Sequence, residues 1–308
     1  MAAFGLYYST MPKLSLFLLL LLPLVGLADE RVPAWLVRVP DSTPTVFVAE
    51  TETSSFHRFD HVDGVLRKVR QDYMSIGKGG IGKERVGDSR TPLGIYFVTE
   101  QLDTTRLHEK YGITAFPLDY PNAWDRRLGR SGDGIWVHGV DRNGGIRPPF
   151  DTEGCIALPN ERLLELEDAF TPNVTPVLIG TELAWADSAS IRQIATDIET
   201  ELRRWARSLE EGDMVAYLDA YDQAFEHWGM NRDEWVAFSL QTVGQRAITD
   251  VVLDELMILG DPAETDLYLT RFRLAVIEQD GREVISMRRM YWRRSESGAF
   301  RIVAQDSG

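Results

Sequence analysis

The chain has 308 residues, 44% hydrophobic and 10% aromatic, enough to bury a sizeable core and to form two domains. A formal net charge of -14 argues against a general nucleic-acid binder, because phosphate binding needs a basic surface. The only cysteine, Cys155, excludes an internal disulfide. The acidity is uneven. Between Ile76 and Phe150 eleven Lys/Arg stand against nine Asp/Glu, which suits an anionic substrate as well as it suits a plain solvated surface.

In chain order, Lys13 precedes an apolar run, Leu14 to Leu27, and Gly26-Leu27-Ala28 puts small residues at the two cleavage-recognition positions. A run of fourteen residues is too short for a bilayer that needs about 20, so residues 1–28 read as a cleaved secretory signal peptide. No membrane span is expected after cleavage. Met11-Pro-Lys opens a more usual n-region, which leaves Met11 as an alternative start to Met1. Residues 29–43, with Val32 to Val39 near two prolines, read as a linker or an edge strand. A first domain over 44–182 opens with strands at Thr45–Ala49 and Ser55–Phe59. A hairpin at Asp63-Gly64 leads into an alternating run, Val65 to Ile76. Gly77 to Phe97 is glycine-rich and basic but lacks the Walker spacing, so no nucleotide and no other cofactor is expected. Thr91-Pro-Leu-Gly94 reads as a turn feeding a strand, Ile95 to Thr99. The polar region 100–134 holds Leu118 to Asp125, with Tyr120, and then Arg126 to Arg130. A loop of that length reads as a lid or substrate-binding segment.

Ile135 to Leu166 carries the chemistry. A strand at Ile135-Trp-Val-His138 puts Trp136 and His138 on one face by its period of two, and Ile135 and Val137 on the other. A Gly/Pro-rich loop follows, then Gly154-Cys155 at a tight turn, then a helix-like segment. A lone thiol and a histidine seventeen positions upstream, on different elements, fit a nucleophile and its base. The thiolate attacks, so a base is required, and the Gly139 carbonyl can hold the imidazole in one tautomer. The Gly154 and Cys155 amides can form an oxyanion hole. The competing reading is a buried cysteine acting as a small hydrophobe. His57, His61, His108 and His227 are further candidates by residue type alone. With no HExxH and no cysteine pair, no metal site is expected.

From Leu183 onward the pattern changes. Ser188 can cap a helix whose Ile191, Ile194, Ile198, Leu202, Trp205 and Leu209 recur at three- and four-residue steps. Met214–Phe225 and Trp235–Ile248 read as two more helices. Four strand-like runs follow, Val251–Leu259, Leu267–Ile277, Glu283–Trp292 and Ala299–Ala304, which makes an α+β domain over 183–308. Arg288, Arg289, Arg293 and Arg294 read as a basic stripe, either an exposed strand face or a wall or partner contact.

Thr91-Pro-x-Gly94, His138-Gly139 and Thr152-Glu-Gly-Cys155-Ile156 together resemble the L,D-transpeptidase catalytic domain (YkuD, also ErfK/YbiS/YcfS/YnhG). Leu118 to Asp125 and Ile135 to Gly139 are most similar to its YafK-like branch. The resemblance implies a mostly-β, sandwich-like catalytic domain. It also implies a Cys155 nucleophile, a His138 base and an orienting carbonyl at Gly139. Its substrates would be peptidoglycan stem peptides in the periplasm, attacked at the diaminopimelate–D-alanine bond. The acyl group would pass to an amine in transpeptidation, or to water in an L,D-carboxypeptidase; release of a wall-linked lipoprotein is a third outcome. Two residues depart from the commoner Ser-His-Gly-Cys-x-Arg pattern: Glu153 replaces its histidine and Ala157 its arginine. Arg147, Arg126, Arg130 or Lys78 would then receive the substrate carboxylate, with Trp136 and Tyr120 as further substrate contacts. Leu202-x-x-Trp205, Gly212 to Tyr221 and Tyr291 to Val303 resemble the cone-shaped nuclear-transport-factor-2-like (SnoaL-type) fold, helices on a curved antiparallel sheet. That fold serves as a pocket or as a dimerisation module, so a homodimer is among its implications. The two together resemble cell-shape-determining L,D-carboxypeptidases. A wall-binding scaffold on an inactive domain is the non-enzymatic alternative, and Glu153 is its support.

Overall fold

Thr45-Val-Phe-Val-Ala-Glu has no polar face, and the strand it forms is buried on both sides. The structure, a computed structural model, describes residues 31–295 and 298–307 together with Met1, Ala2 and Gly5, so the signal peptide expected over 1–28 otherwise lies outside the described residues. The first half contains β1 (Arg31–Pro33), β2 (Thr45–Glu50), β3 (Ser55–Val62), β4 (Val65–Tyr73), β5 (Ile76–Gly77) and β6 (Gly94–Phe97). It continues through β7 (Ala115–Pro117), α1 (Ala123–Arg127), β8 (Trp136–His138), β9 (Phe150–Thr152) and β10 (Ile156–Ala157). It ends with α2 (Asn160–Leu166), β11 (Pro176–Gly180) and β12 (Trp185–Asp187). Asp63 and Gly64, at φ 52° and 74°, are the two left-handed residues of the β3–β4 hairpin turn.

A five-stranded sheet, β4-β3-β2-β11-β6, faces a three-stranded one, β10-β8-β7. Phe47, Phe56 and Ile179 from the first meet Phe116, Val137 and Ile156 from the second in one core. Phe170 is its centre, with ring centroids 4.3 Å from Phe47 and 4.2 Å from Phe116. This is the mostly-β, sandwich-like layer expected. Val137 and Ile156 fill this core, which leaves the opposite face of β8 and β10, that of Trp136 and His138, for the candidate site.

In the second half α3 (Ser188–Glu210) starts one residue earlier than its sequence suggests: the Asp187 carboxylate, not Ser188, accepts the Ser190 amide as N-cap. The helix expected over Met214–Phe225 stops early. α4 (Met214–Asp219) gives way to β13 (Tyr221–His227). A four-residue spacing puts Tyr221 and Phe225 on one face of a helix or of a strand, and pairing with the last strand settles it as strand. β14 (Met230–Asn231) and α5 (Arg232–Thr242) follow, α5 ending well before Ile248. The last strands are β15 (Ile248–Gly260), β16 (Leu267–Glu278), β17 (Glu283–Arg294) and β18 (Phe300–Ser307). The six-stranded sheet runs β14-β13-β18-β17-β16-β15. α3 to α5 cover one face through Leu202, Trp205 and Trp235 against Phe272, Met290 and Trp292, the helices-on-sheet cone.

Alternation sends Leu269 and Tyr291 to the opposite face, where they meet Val46, Val48, Ile95 and Leu178 of the five-stranded sheet. Strands β2, β11 and β6 of that sheet are therefore buried between two layers, which explains their continuous apolar runs. Of the two readings of residues 29–43, linker or edge strand, the second describes Arg31–Pro33: β1 pairs with β12, and Trp35 and Leu36 join the shared core. Two other sequence readings are corrected at this seam. Leu118 to Asp125 is not a lid. Asp119 pairs with Arg289, and Trp124 stacks on Tyr291 at 6.1 Å. The arginine run is not a solvated face. Arg289 is buried with its guanidinium 4.2 Å over the Phe97 ring, while Arg288 faces the cone interior on the other side of the strand.

Candidate active site

β8 and β10 are parallel neighbours in register Val137↔Ile156 and His138↔Ala157, so His138 and Cys155 are delivered by adjacent strands. The element leaving Cys155 is thus first a two-residue strand, with α2 starting only at Asn160. The turn before the thiol is closed by side chains. Thr152 Oγ1 accepts the Gly154 amide at 3.1 Å and donates to the Cys155 carbonyl at 2.7 Å. Thr91 Oγ1 accepts the Gly77 amide and donates to the Gly154 carbonyl, both at 2.9 Å. Gly154 has φ 123°, and a Cβ there would stand 2.7 Å from the Arg90 carbonyl oxygen. Of the two amides expected to form an oxyanion hole, that of Gly154 is committed to Thr152, which leaves Cys155's for the role.

His138 Nδ1 lies 2.5 Å from the Gly139 carbonyl oxygen. A carbonyl only accepts, so Nδ1 carries the hydrogen and Nε2 of the neutral ring is left as a base. Burial pushes the imidazole down to about 4, partly opposed by that bond and reinforced by the Arg147 and Lys110 charges. Burial likewise pushes the Cys155 thiol up to about 11, against the lowering effect of the Trp136 amide. The thiol donates to the Gly134 carbonyl at 3.3 Å rather than to the imidazole. Resting thiol and resting imidazole are therefore both neutral. Such a pair works by general-base removal of the thiol proton as substrate bonds form, not through a standing thiolate.

Both groups line one cavity of about 270 Å³, shared with Lys78, Lys110, Tyr111, Arg147 and Glu153. Of the residues expected around the substrate, Lys78 and Arg147 are here, and the Trp136 ring packs beside it, 4.7 Å from Tyr111. Three others lie elsewhere. Arg126 pairs with Asp306 at 3.2 Å, Arg130 with Asp125 at 2.9 Å, and the Tyr120 hydroxyl donates to the Ser131 carbonyl at 3.2 Å. Lys110 and Tyr111 were not singled out by sequence. Lys110 forms a 2.7 Å ion pair with Glu153, and the Tyr111 ring meets His138 edge-on at 5.3 Å. Their only sequence signal was membership of the long polar region. The Glu153 charge, the best support for an inactive domain, is thereby compensated, and its carboxyl is held below the usual range by Lys110. The other histidines have separate settings: His57 pairs with Glu50 at 3.0 Å, and His227 binds the Gln305 carbonyl. No cluster suited to a metal ion, and no helix long and apolar enough to cross a membrane, occurs among the described residues.

Residues 55–179 match the family model of the L,D-transpeptidase catalytic domain, YkuD. That part of the chain is a YkuD-type L,D-transpeptidase catalytic domain. No curated protein matches the chain. Among solved structures it is similar to Bdellovibrio bacteriovorus Bd1075, at 22% identity and a TM-score of 0.73, over 91% of this chain and 98% of that one. It is also similar to the helical cell shape determining protein Pgp2 from Campylobacter jejuni, at 22% identity and a TM-score of 0.72, over 85% of this chain and 91% of that one. Both likenesses concern the fold and run through both halves of the chain.

Proposed function

We propose that the protein is an exported cysteine acyltransferase of peptidoglycan, acting at the diaminopimelate–D-alanine bond of stem peptides. The observation that carries this reading is the meeting of Cys155 and His138 in one cavity from adjacent parallel strands, with the imidazole tautomer set by Gly139. In the first half-reaction His138 Nε2 takes the thiol proton as Sγ bonds to the carbonyl carbon at the L-centre of diaminopimelate. The Cys155 amide faces the developing oxyanion. Collapse breaks the C–N bond, the departing D-alanine amine takes the proton from His138, and a thioester remains. An acceptor then attacks the thioester, giving its proton to His138 and returning the thiol.

An amine acceptor makes the reaction a transpeptidation. Water makes it an L,D-carboxypeptidase, and this second reading is supported by the two-domain likeness to Pgp2, which is named as a cell shape determinant. Incubating the mature chain with purified muropeptides, followed by mass analysis, separates the two. Tripeptide alone from tetrapeptide means water is the acceptor, cross-linked dimers or D-amino-acid exchange mean an amine is, and unchanged muropeptides would sink both.

A further inference from the structure

The site lacks the arginine that the commoner motif places two residues beyond the cysteine, yet it gathers three cations, Lys78, Lys110 and Arg147, around the thiol. Two of them are anchored through backbone. The Lys78 amide donates to the Thr152 carbonyl at 2.8 Å, and the Arg147 guanidinium donates to the Asp151 and Lys110 carbonyls at 3.2 and 3.0 Å. The third, Lys110, holds the carboxylate of Glu153, two residues from the nucleophile. All three cations act on that carboxylate, so it already lies where their fields converge. Its pairing is not locked: the side chains of Lys110 and Glu153 are 37% and 66% exposed. An exposed lysine–carboxylate pair is weak and exchanges readily with another anion.

We infer that Glu153 is a resident stand-in for a substrate carboxylate, and that Lys110 trades it for the terminal carboxylate of the stem peptide as the peptide enters. This rests on the stem-peptide reading above and adds the group that recognises the peptide's end. Lys110 is then a specificity-determining residue. It favours peptides that end next to the attacked bond, because only these bring a carboxylate that close to Cys155. Glu153 weakens that recognition and also keeps Lys110 over the cavity mouth when no peptide is present. The closeness of Lys110 to the Tyr111 ring, 5.1 Å from Nζ to centroid, keeps the ammonium near that position once Glu153 lets go.

The test uses the mature chain carrying Cys155→Ala, so that binding is read without turnover, and two probes: the tetrapeptide L-Ala-γ-D-Glu-diaminopimelate-D-Ala and its C-terminal amide. Calorimetry is expected to show the acid binding about tenfold tighter than the amide. Adding Glu153→Gln is expected to tighten the acid about threefold to tenfold and leave the amide unchanged. Adding Lys110→Met is expected to remove both the acid's preference and the effect of Glu153→Gln. Equal binding of acid and amide, weaker acid binding in Glu153→Gln, no binding of either probe, or an unchanged acid preference in Lys110→Met would each overturn the inference. Turnover of the tetrapeptide by the unsubstituted chain is scored separately: binding as described with no turnover contradicts the proposed reaction and leaves the recognition standing.

Discussion

A thiol held near 11 and an imidazole held near 4 share no proton in the resting protein. The rate should report this. His138 must be unprotonated to act as base, and its buried ring stays so until the pH falls towards 4, so kcat/KM on a stem peptide should show an acid limb centred near pH 4. A limb near the ordinary histidine value would mean a solvated or ion-paired imidazole. Alkylation of the free protein by iodoacetamide should be slow at neutral pH and should rise as the pH approaches 11. Fast, pH-independent labelling at pH 7 would indicate a standing thiolate and contradict the neutral-pair mechanism. Cys155→Ser and His138→Ala should each lower turnover by about a thousandfold or more, with the unfolding midpoint little changed. Activity retained in either variant removes the role assigned to it.

The elements explain why the turn before Cys155 has its particular residues. Thr91, far away in sequence, closes it from one side and Thr152 from the other, while Gly154 takes a left-handed φ under a neighbouring carbonyl. Thr91→Val should cost about 1–3 kcal/mol, because it leaves the Gly77 amide and the Gly154 carbonyl buried without their partner. Denaturant unfolding measures this, and a change within error would mean the hydroxyl is not needed. Most of the longer elements were legible, β13 excepted. Asp63-Gly64 announced its hairpin, and the apolar spacing of α3 announced its helix. The short strands β5, β9 and β10 were not, because they lack the apolar alternation that marked β8 and form only by pairing with partners distant in sequence. The same limit hid Lys110 and Tyr111, brought over His138 by the path of the 104–112 turn rather than by any local pattern.

At the scale of the whole molecule, the five-stranded sheet serves two cores, and the C-terminal sheet supplies the facing side of the second. Sequence showed two patterns and placed a boundary near Leu183. It did not show that the faces join, because the alternation that sends Tyr291 outward from the cone is the same whether water or another sheet waits there. Arg289 is the clearest case: a strand arginine usually reads as surface, yet this one is buried against Asp119 and Phe97. Arg289→Met keeps most of the volume and leaves the Asp119 carboxylate with the Phe97 amide but without its charged partner, so it should destabilise by about 3 kcal/mol, read by denaturant unfolding of both halves in one transition. A loss below about 1 kcal/mol, the range of a surface pair, would place the seam in solvent.

The central claim, that Cys155 is acylated by a peptidoglycan stem peptide, is tested most directly by intact-protein mass spectrometry on the mature chain mixed with tetrapeptide and quenched in acid. A covalent adduct of the tripeptide acyl mass, mapped by digestion to Cys155, is expected, with D-alanine released and no adduct in Cys155→Ser. D-alanine release without an adduct on Cys155, undiminished in Cys155→Ser, would contradict it.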